Sequence, residues 1–368
     1  MGESARVRFA VVLAAGEGTR MKSSRPKPLV RLCGKPMIAH ILQALFAAGL
    51  DEAVVVIGFK SGSVRDSVNR FAPAGMRISF VEQTRQRGTG DALATALTAL
   101  PDPLRYAGKE PPVVMVVPGD TPLLRAETVA TMLDTHDATK SAVTVAYSDA
   151  DDPTGYGRVI FGKGNAVAKI VEDKDATDEE RESHLINAGF YALNLDFLAP
   201  ALRRLSPKNA QAEYYLTDVI EILAKAGYGV AGFRLPDPIE AHGVNDRHQL
   251  AEAEQAMRER INASLLMRGV NLVDPSSIYI DSTVEIGQDT TIWPGSFLVG
   301  QTAIGKGAEI GPEVRISDSV VDDGARVVRS ELEGCHVGRE AVVGPYAVLK
   351  PGAKVPPETE TGSFVVLE

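Results

Sequence analysis

Cysteine is almost missing from this chain. Its two cysteines, Cys33 and Cys335, stand 302 positions apart and form no CxxC pair, which excludes a disulfide framework and a thiolate metal site. The six histidines, at 40, 136, 184, 242, 248 and 336, show no HExxH or related ligand spacing. No Ser-His-Asp or Cys-His motif offers a covalent nucleophile. Each histidine therefore reads as structural or surface, and Cys33 and the solitary Trp293 as packing residues. No run approaches the roughly 18 uncharged apolar residues that span a bilayer, and no secretory h-region precedes the first apolar strand. The expected protein is soluble and cytoplasmic, without a membrane partner. Its net charge of -9 argues against nucleic acid as a partner.

Acid is missing locally as well. Between residues 4 and 50 the only acid is Glu17, while Arg20, Lys22, Arg25, Lys27, Arg31 and Lys35 fall within sixteen positions. In an acidic protein, a basic segment beside a glycine turn can attract a small polyanion, and phosphate is the natural candidate. Without further signals such a run is by default a solvated loop.

What is present divides by period. The 368 residues, 44% hydrophobic and 24% charged, suffice for two domains. From residue 7 to about 240, β-branched runs (FAVVLAA, AVVVIG, MRISFVEQ, PVVMVVPGD) alternate with helix-like segments (PMIAHILQALFAAG, TGDALATALTAL). That alternation predicts a mostly parallel sheet covered by helices. Pro36 opens one helix, Ile38, Ile41, Leu42, Leu45 and Phe46 give it an apolar face, and Gly49 stops it. Ligands of such sheets bind at the carboxyl ends of the strands, which directs attention to the loops after Leu13 and Val117.

After a polar, alanine-rich helix at roughly residues 246 to 268, the period changes. Ile286, Ile292, Leu298, Ile304, Ile310 and Ile316 stand six apart without a miss. Chance alignment of six aliphatics is on the order of one in a few thousand. The register slips by one at Val321, recovers at Val327, breaks, and resumes with Val337, Val343, Leu349 and Val355. A hexad marks a parallel β-helix. About four coils are expected, with an outward loop between Val327 and Val337.

The chemistry is concentrated in VVLAAGEGTRMKSSRPKPL, residues 11 to 29. Gly16 and Gly18 let backbone N–H groups approach phosphate oxygens, Arg20 offers a planar fork and Lys27 a point charge where negative charge accumulates. The segment is neither a P-loop nor a GxGxxG fingerprint.

This string resembles the signature loop of sugar-1-phosphate nucleotidylyltransferases. Further strings narrow the resemblance to the bacterial N-acetylglucosamine-1-phosphate uridyltransferases, the N-terminal half of a bifunctional enzyme, here with a shortened hexapeptide-repeat domain. The resemblance runs in order over nearly all of residues 8 to 355. It implies a Rossmann-like nucleotidyltransferase domain with a mixed, mostly parallel sheet over residues 1–245, a linker helix over 246–270 and a left-handed parallel β-helix over 271–368. It implies nucleotide contacts from Leu13, Ala14, Ala15, Gly16 and Gly18, with Arg20 and Lys27 as catalytic cations. In EQTRQRGTGDA, Gln83, Gly88 and Thr89 would contact uracil. In GDTPLL, Asp120 would bind the metal, Mg²⁺, with Asn245 of EAHGVNDR as second ligand. DPTGYGR, IVEDKDATDEER, INAGFYALN and NAQAEYYLTD would place Gly157, Glu172, Asn187, Tyr215 and Thr217 on the acetamido sugar.

The implied substrates are UTP and N-acetylglucosamine 1-phosphate, and the implied assembly is a homotrimer through the β-helix. Taken singly, Asp120 is a turn or cap aspartate, Asn245 the N-cap of the next helix and Glu172 a solvated strand-end acid. Two oxygens suffice for Mg²⁺ because it keeps several waters and takes substrate phosphates.

Two departures stand out. Pro118 occupies the position where the family often has tyrosine before Gly-Asp. In GPYAVLKPGAKV, Val348 and Lys350 stand where arginines are expected, and the chain ends at GSFVVLE before the coils of the acetyltransferase site, so acetyl transfer is expected to be absent. The alternatives are a nucleotidylyltransferase for glucose 1-phosphate or another base, a non-catalytic nucleotide-sugar scaffold, and a hexad acetyltransferase with only His336 available.

Overall fold

The computed structural model describes residues 6–16, 18–58 and 60–368; Glu17, the lone acid of the basic segment, lies outside them. By packing, the chain forms two units, Met1–Val30 with Pro36–Leu250, and Arg31–Lys35 with Ala251–Glu368.

The first unit is built on nine strands: β1 (Arg8–Leu13), β2 (Glu52–Ile57), β3 (Arg77–Glu82), β4 (Val113–Pro118), β5 (Val143–Asp149), β6 (Arg158–Phe161), β7 (Val167–Val171), β8 (Leu185–Asn194) and β9 (Val230–Arg234). Their order is β9-β5-β8-β4-β1-β2-β3, with β6 paired to β8 and β7 paired to β6. β1 runs parallel to β2 and β4, β2 to β3, and β9 to β5, whereas β8 is antiparallel to β4 and β5.

The apolar runs are continuous because the central strands are covered on both sides. Ala10 and Val12 enter a cluster with Ile38, Ile41 and Leu42, while Phe9 and Val11 enter another with Leu93, Val219 and Ile220. Pro36 precedes the helix Met37–Ala47, whose Ile38, Ile41, Leu42 and Leu45 are buried and whose Phe46 is half-buried. Away from the carboxyl ends, buried His136 sits between Thr144 Oγ1 at 2.9 Å and Asn194 Oδ1 at 2.8 Å, and burial lowers its pKa. It is a neutral packing histidine.

In the second unit, three parallel sheets of five, six and five short strands wrap one aliphatic core. The expected left-handed parallel β-helix is present, with five full coils rather than about four. The extra coil begins at Leu272, which escapes the hexad because the 3-10 turn Pro275–Ser277 lengthens the step to Ile280; Ile280 itself is in register, six positions before Ile286. The expected outward loop is absent: Leu332, in Glu331–Glu333, fills the interior between Val327 and Val337. Ile316, Val321, Val327, Leu332 and Val337 are all fully buried, so the register slip is a set of shortened corners. These corners turn in left-handed conformation at Asp318 (φ 49°), Arg329 (φ 40°) and Gly334 (φ 56°), as the six-residue sides do at Asp289 (φ 63°), Glu313 (φ 55°) and Glu340 (φ 55°), so a five-residue side makes the same kind of turn with one residue fewer. Trp293 is also corrected. It follows inward-facing Ile292 and is 37% exposed, since side chains alternate across a strand.

Because Ile316 is fully buried in this narrow core, Ile316→Ala should destabilise the β-helix by about 2–5 kcal/mol, read as a lower urea midpoint. An unchanged midpoint would show that the interior column is loosely packed.

Candidate active site

The carboxyl ends of β1 and β4 lie side by side, because Leu13 pairs with Pro118 and Gly119 N donates to Leu13 O at 2.8 Å. Two adjoining clefts open there. One, of ≈ 270 Å³, is lined by Gly18, Arg20, Lys27, Asp120 and Asn245 among others, and Ala14 belongs to it. The other, of ≈ 370 Å³, is lined on one side by Ala15, Gln83, Gly88 and Thr89 and on the other by Glu172, Asn187 and Thr217. Leu13, Gly16 and Asp120 line both.

The two turn glycines have different reasons to be glycine. Gly18 has φ 63°, and a Cβ there would lie 2.5 Å from Lys27 Cβ, so the missing side chain gives the lysine its path. A Cβ on Gly16 would meet nothing within 4 Å, and that open space belongs to the clefts.

Lys27 Nζ donates to Asp120 Oδ2 and, at 2.7 Å, to Asn245 Oδ1. Arg20 Nη2 donates to the same Asn245 oxygen at 2.9 Å. Both donors are obligate, which fixes the amide with its oxygen toward them. The chain is drawn in by Val244 N donating to Asp120 O at 2.8 Å. Asn245 is released from capping because Asp246 Oδ1 accepts from His248 N and Gln249 N, each at 2.9 Å. Thus a carboxylate and a carboxamide oxygen, 125 positions apart, converge on one compact cation.

This donor pair fits a hard divalent ion of the magnesium class. Among the described residues no group of three or more His, Cys, Asp or Glu side chains could hold a metal, so the remaining coordination would come from phosphates and water.

On the far wall, a bulge in β8 between Asn187 and Tyr191 turns Asn187 toward the cleft. Asn187 Oδ1 accepts from Gly189 N at 3.1 Å and its Nδ2 donates to Tyr191 Oη at 2.7 Å. Thr217 Oγ1 donates to Glu172 Oε1 at 2.9 Å. Burial raises the Glu172 pKa, opposed by the Thr217 bond and reinforced by Asp218, Asp175 and Glu213. Gly157 stands behind this carboxylate, where a Cβ would lie 3.5 Å from Glu172 Oε2.

Tyr215 is not on the lining. Its hydroxyl accepts from Gln211 Nε2 at 2.9 Å and donates to Asp175 Oδ2 at 3.3 Å, while Leu216 and Thr217 face the cleft. Gln86, Gly189, Tyr191 and Glu213 also line the cleft, without having been singled out from sequence. Gln86 Nε2 holds Ala15 O at 2.9 Å, a role without a local signature.

Residues 10–186 match the family of the MobA-like NTP transferase domain. The bifunctional protein GlmU of Halalkalibacterium halodurans is 40% identical over 358 residues, covering 97% of this chain and 76% of that protein. The GlmU of Mycobacterium ulcerans is 44% identical over 356 residues, covering 96% and 71%. The chain belongs to the GlmU family. It is a sugar-1-phosphate uridylyltransferase, as the motif strings implied, and nucleotidyltransferases of this family use a divalent metal. The fold is similar to that of a solved UDP-glucose pyrophosphorylase in complex with UDP-glucose. That structure has a TM-score of 0.56 at 19% identity and covers 69% of this chain and 99% of its own.

A carboxyl with a raised folded pKa contributes stability fully below its ordinary value of 4.5 and loses it as pH rises through the raised value. Glu172→Gln keeps an acceptor for Thr217 and lacks this loss. Its thermal midpoint relative to wild type should therefore be higher at pH 8 than at pH 4.5, and an equal offset at both pH values would disprove the burial effect.

Proposed function

We propose that this chain joins UTP to N-acetylglucosamine 1-phosphate, releasing pyrophosphate, with Mg²⁺ as its divalent metal and the cytoplasm as its place of action. The observation that carries this reading is the convergence of Lys27, Asp120 and Asn245 beside the glycine turn. A phosphate oxygen of the sugar phosphate attacks the α-phosphorus in line. A new P–O bond forms as the α-phosphorus bond to the β-phosphate bridging oxygen breaks, and pyrophosphate leaves with that electron pair. No protein nucleophile takes part. Bound at Asp120 and Asn245, Mg²⁺ would neutralise triphosphate charge. Lys27 and Arg20 bring two further positive charges to the place where two anions must meet, which lowers the repulsion that opposes their approach.

Gln83, Gly88 and Thr89 are assigned to the base. Glu172, Asn187 and Thr217 are assigned to the sugar, with Gly157 supporting Glu172. Tyr215 holds its segment through Asp175 rather than touching the sugar directly. A second reading, transfer to glucose 1-phosphate, rests on Pro118, which gives the cleft an apolar wall where the family often has tyrosine. The polar pair Glu172 and Asn187 favours the acetamido sugar.

Among the described residues no helix is long and apolar enough to cross a membrane. Assembly as a homotrimer is supported by exposed Tyr279, Phe297, Val348 and Val366 along one β-helix face.

Pyrophosphate release should require Mg²⁺ and be fastest with UTP plus N-acetylglucosamine 1-phosphate, against the other nucleoside triphosphates, glucosamine 1-phosphate and glucose 1-phosphate. Asp120→Ala should remove roughly 10³-fold of the rate while circular dichroism stays native. Wild-type turnover by this variant would refute the metal assignment.

A further inference from the structure

Gln83 lines the cleft and is itself buried. Its Nε2 donates to Asp91 Oδ2 at 2.8 Å and to Gly88 O at 3.1 Å. Both partners, a carboxylate and a peptide carbonyl, can only accept. The side-chain amide must therefore turn its NH₂ toward them, whichever way the two ends are drawn. Its carbonyl oxygen is left as the acceptor on the other side. Asp91 lies in the first turn of the helix Thr89–Ala96, after Gly88. Gly88 has φ 103°, and a Cβ there would lie 2.5 Å from Tyr214 O, so this corner is rigidly placed. Arg87 Nη2 lies 3.4 Å from Asp91 Oδ1 and holds the other carboxylate oxygen.

We propose that Asp91 is a specificity-determining positioning residue, which locks the Gln83 amide so that its oxygen accepts the imide N3–H of a uracil-type base. The inference rests on the assignment of this end of the cleft to the nucleotide base. Uracil and thymine carry a proton on N3, and cytosine carries a lone pair there. In the same pose, cytosine sets N3 against the Gln83 oxygen, leaving two buried acceptors without a proton between them. Without Asp91 one of the two acceptors holding the NH₂ is lost. The amide can then rotate and offer a donor to cytosine. The competing role for Asp91 is only to favour the helix N-terminus by charge, and that role has no means of distinguishing one base from another.

The test is kcat/KM for UTP, dTTP and CTP with N-acetylglucosamine 1-phosphate and Mg²⁺, in wild type, Asp91→Ala and Asp91→Asn, each checked for an unchanged thermal midpoint. In Asp91→Ala the UTP-to-CTP ratio should fall by about tenfold, chiefly through KM, as expected for one misplaced hydrogen bond to the base. The dTTP-to-CTP ratio should fall in parallel because thymine shares N3–H. Asp91→Asn, which can still accept through its own oxygen, should recover part of the ratio. Equal losses for all three triphosphates, or an unchanged ratio in Asp91→Ala, would overturn the inference and leave the uridylyltransferase assignment intact. If a destabilised Asp91→Ala obscures turnover, the ratio of UDP to CDP affinity by titration calorimetry decides by the same criterion. A wild-type enzyme that turned over no UTP would instead refute the proposed function.

Discussion

One ammonium group holds the catalytic end of this protein together. Lys27 Nζ reaches both Asp120 and Asn245, and so joins the loop after β1, the loop after β4 and the chain that leaves β9. Much of the surrounding geometry serves that reach. Gly18 clears the lysine's path, Gly119 allows the β1 and β4 ends to touch, and Asp246 takes over the helix cap so that Asn245 is free. The lysine is shielded and the aspartate half-buried, which screens the pair less than a surface salt bridge is screened. Two negatively charged substrates approach a site in which positive charge is already fixed in place, and this is electrostatic preorganisation in its simplest form.

The opposite wall works by polarity rather than charge. The β8 bulge aims Asn187, and Thr217 steadies a Glu172 whose burial disfavours ionisation. Carboxamide, hydroxyl and carboxyl are groups suited to sugar hydroxyls and an acetamide. Elsewhere on the lining, the Gln83 side-chain amide donates to two acceptors, Gly88 O and Asp91 Oδ2. The cationic cluster, the polar wall and the Gln83 corner thus occupy separate stretches of two adjoining clefts, which share Leu13, Gly16 and Asp120.

Some of this is legible from residue order alone. The cationic glycine bend after an apolar strand announces phosphate chemistry, since glycine, arginine and proline-lysine together supply close-approaching backbone donors and two kinds of cation suited to a polyanion. The hexads announce a β-helix. Legibility fails where spacing is counted as an absolute rule. Leu332 escapes a six-residue count because five-residue sides break the period, although the interior column continues through it without a gap. Trp293 is large enough to suggest core, yet it directly follows the strand Thr291–Ile292, whose Ile292 points inward, and is itself turned outward.

The sequence by itself determined the two architectures, the basic turn and the family, because these follow from local periodicity and from strings contiguous in the chain. It could not determine which polar residue of a pair does which task. Asn245 and Asp246 are neighbours, each able to cap a helix, and only the folded chain gives the cap to one and the cation to the other. Tyr215 and Thr217 are two positions apart, and only the folded turn sends the threonine to Glu172 and the tyrosine to Asp175. Hydrogen-bond partners distant in sequence are chosen by tertiary packing, since a side chain bonds to whatever the fold carries within about 3 Å of it.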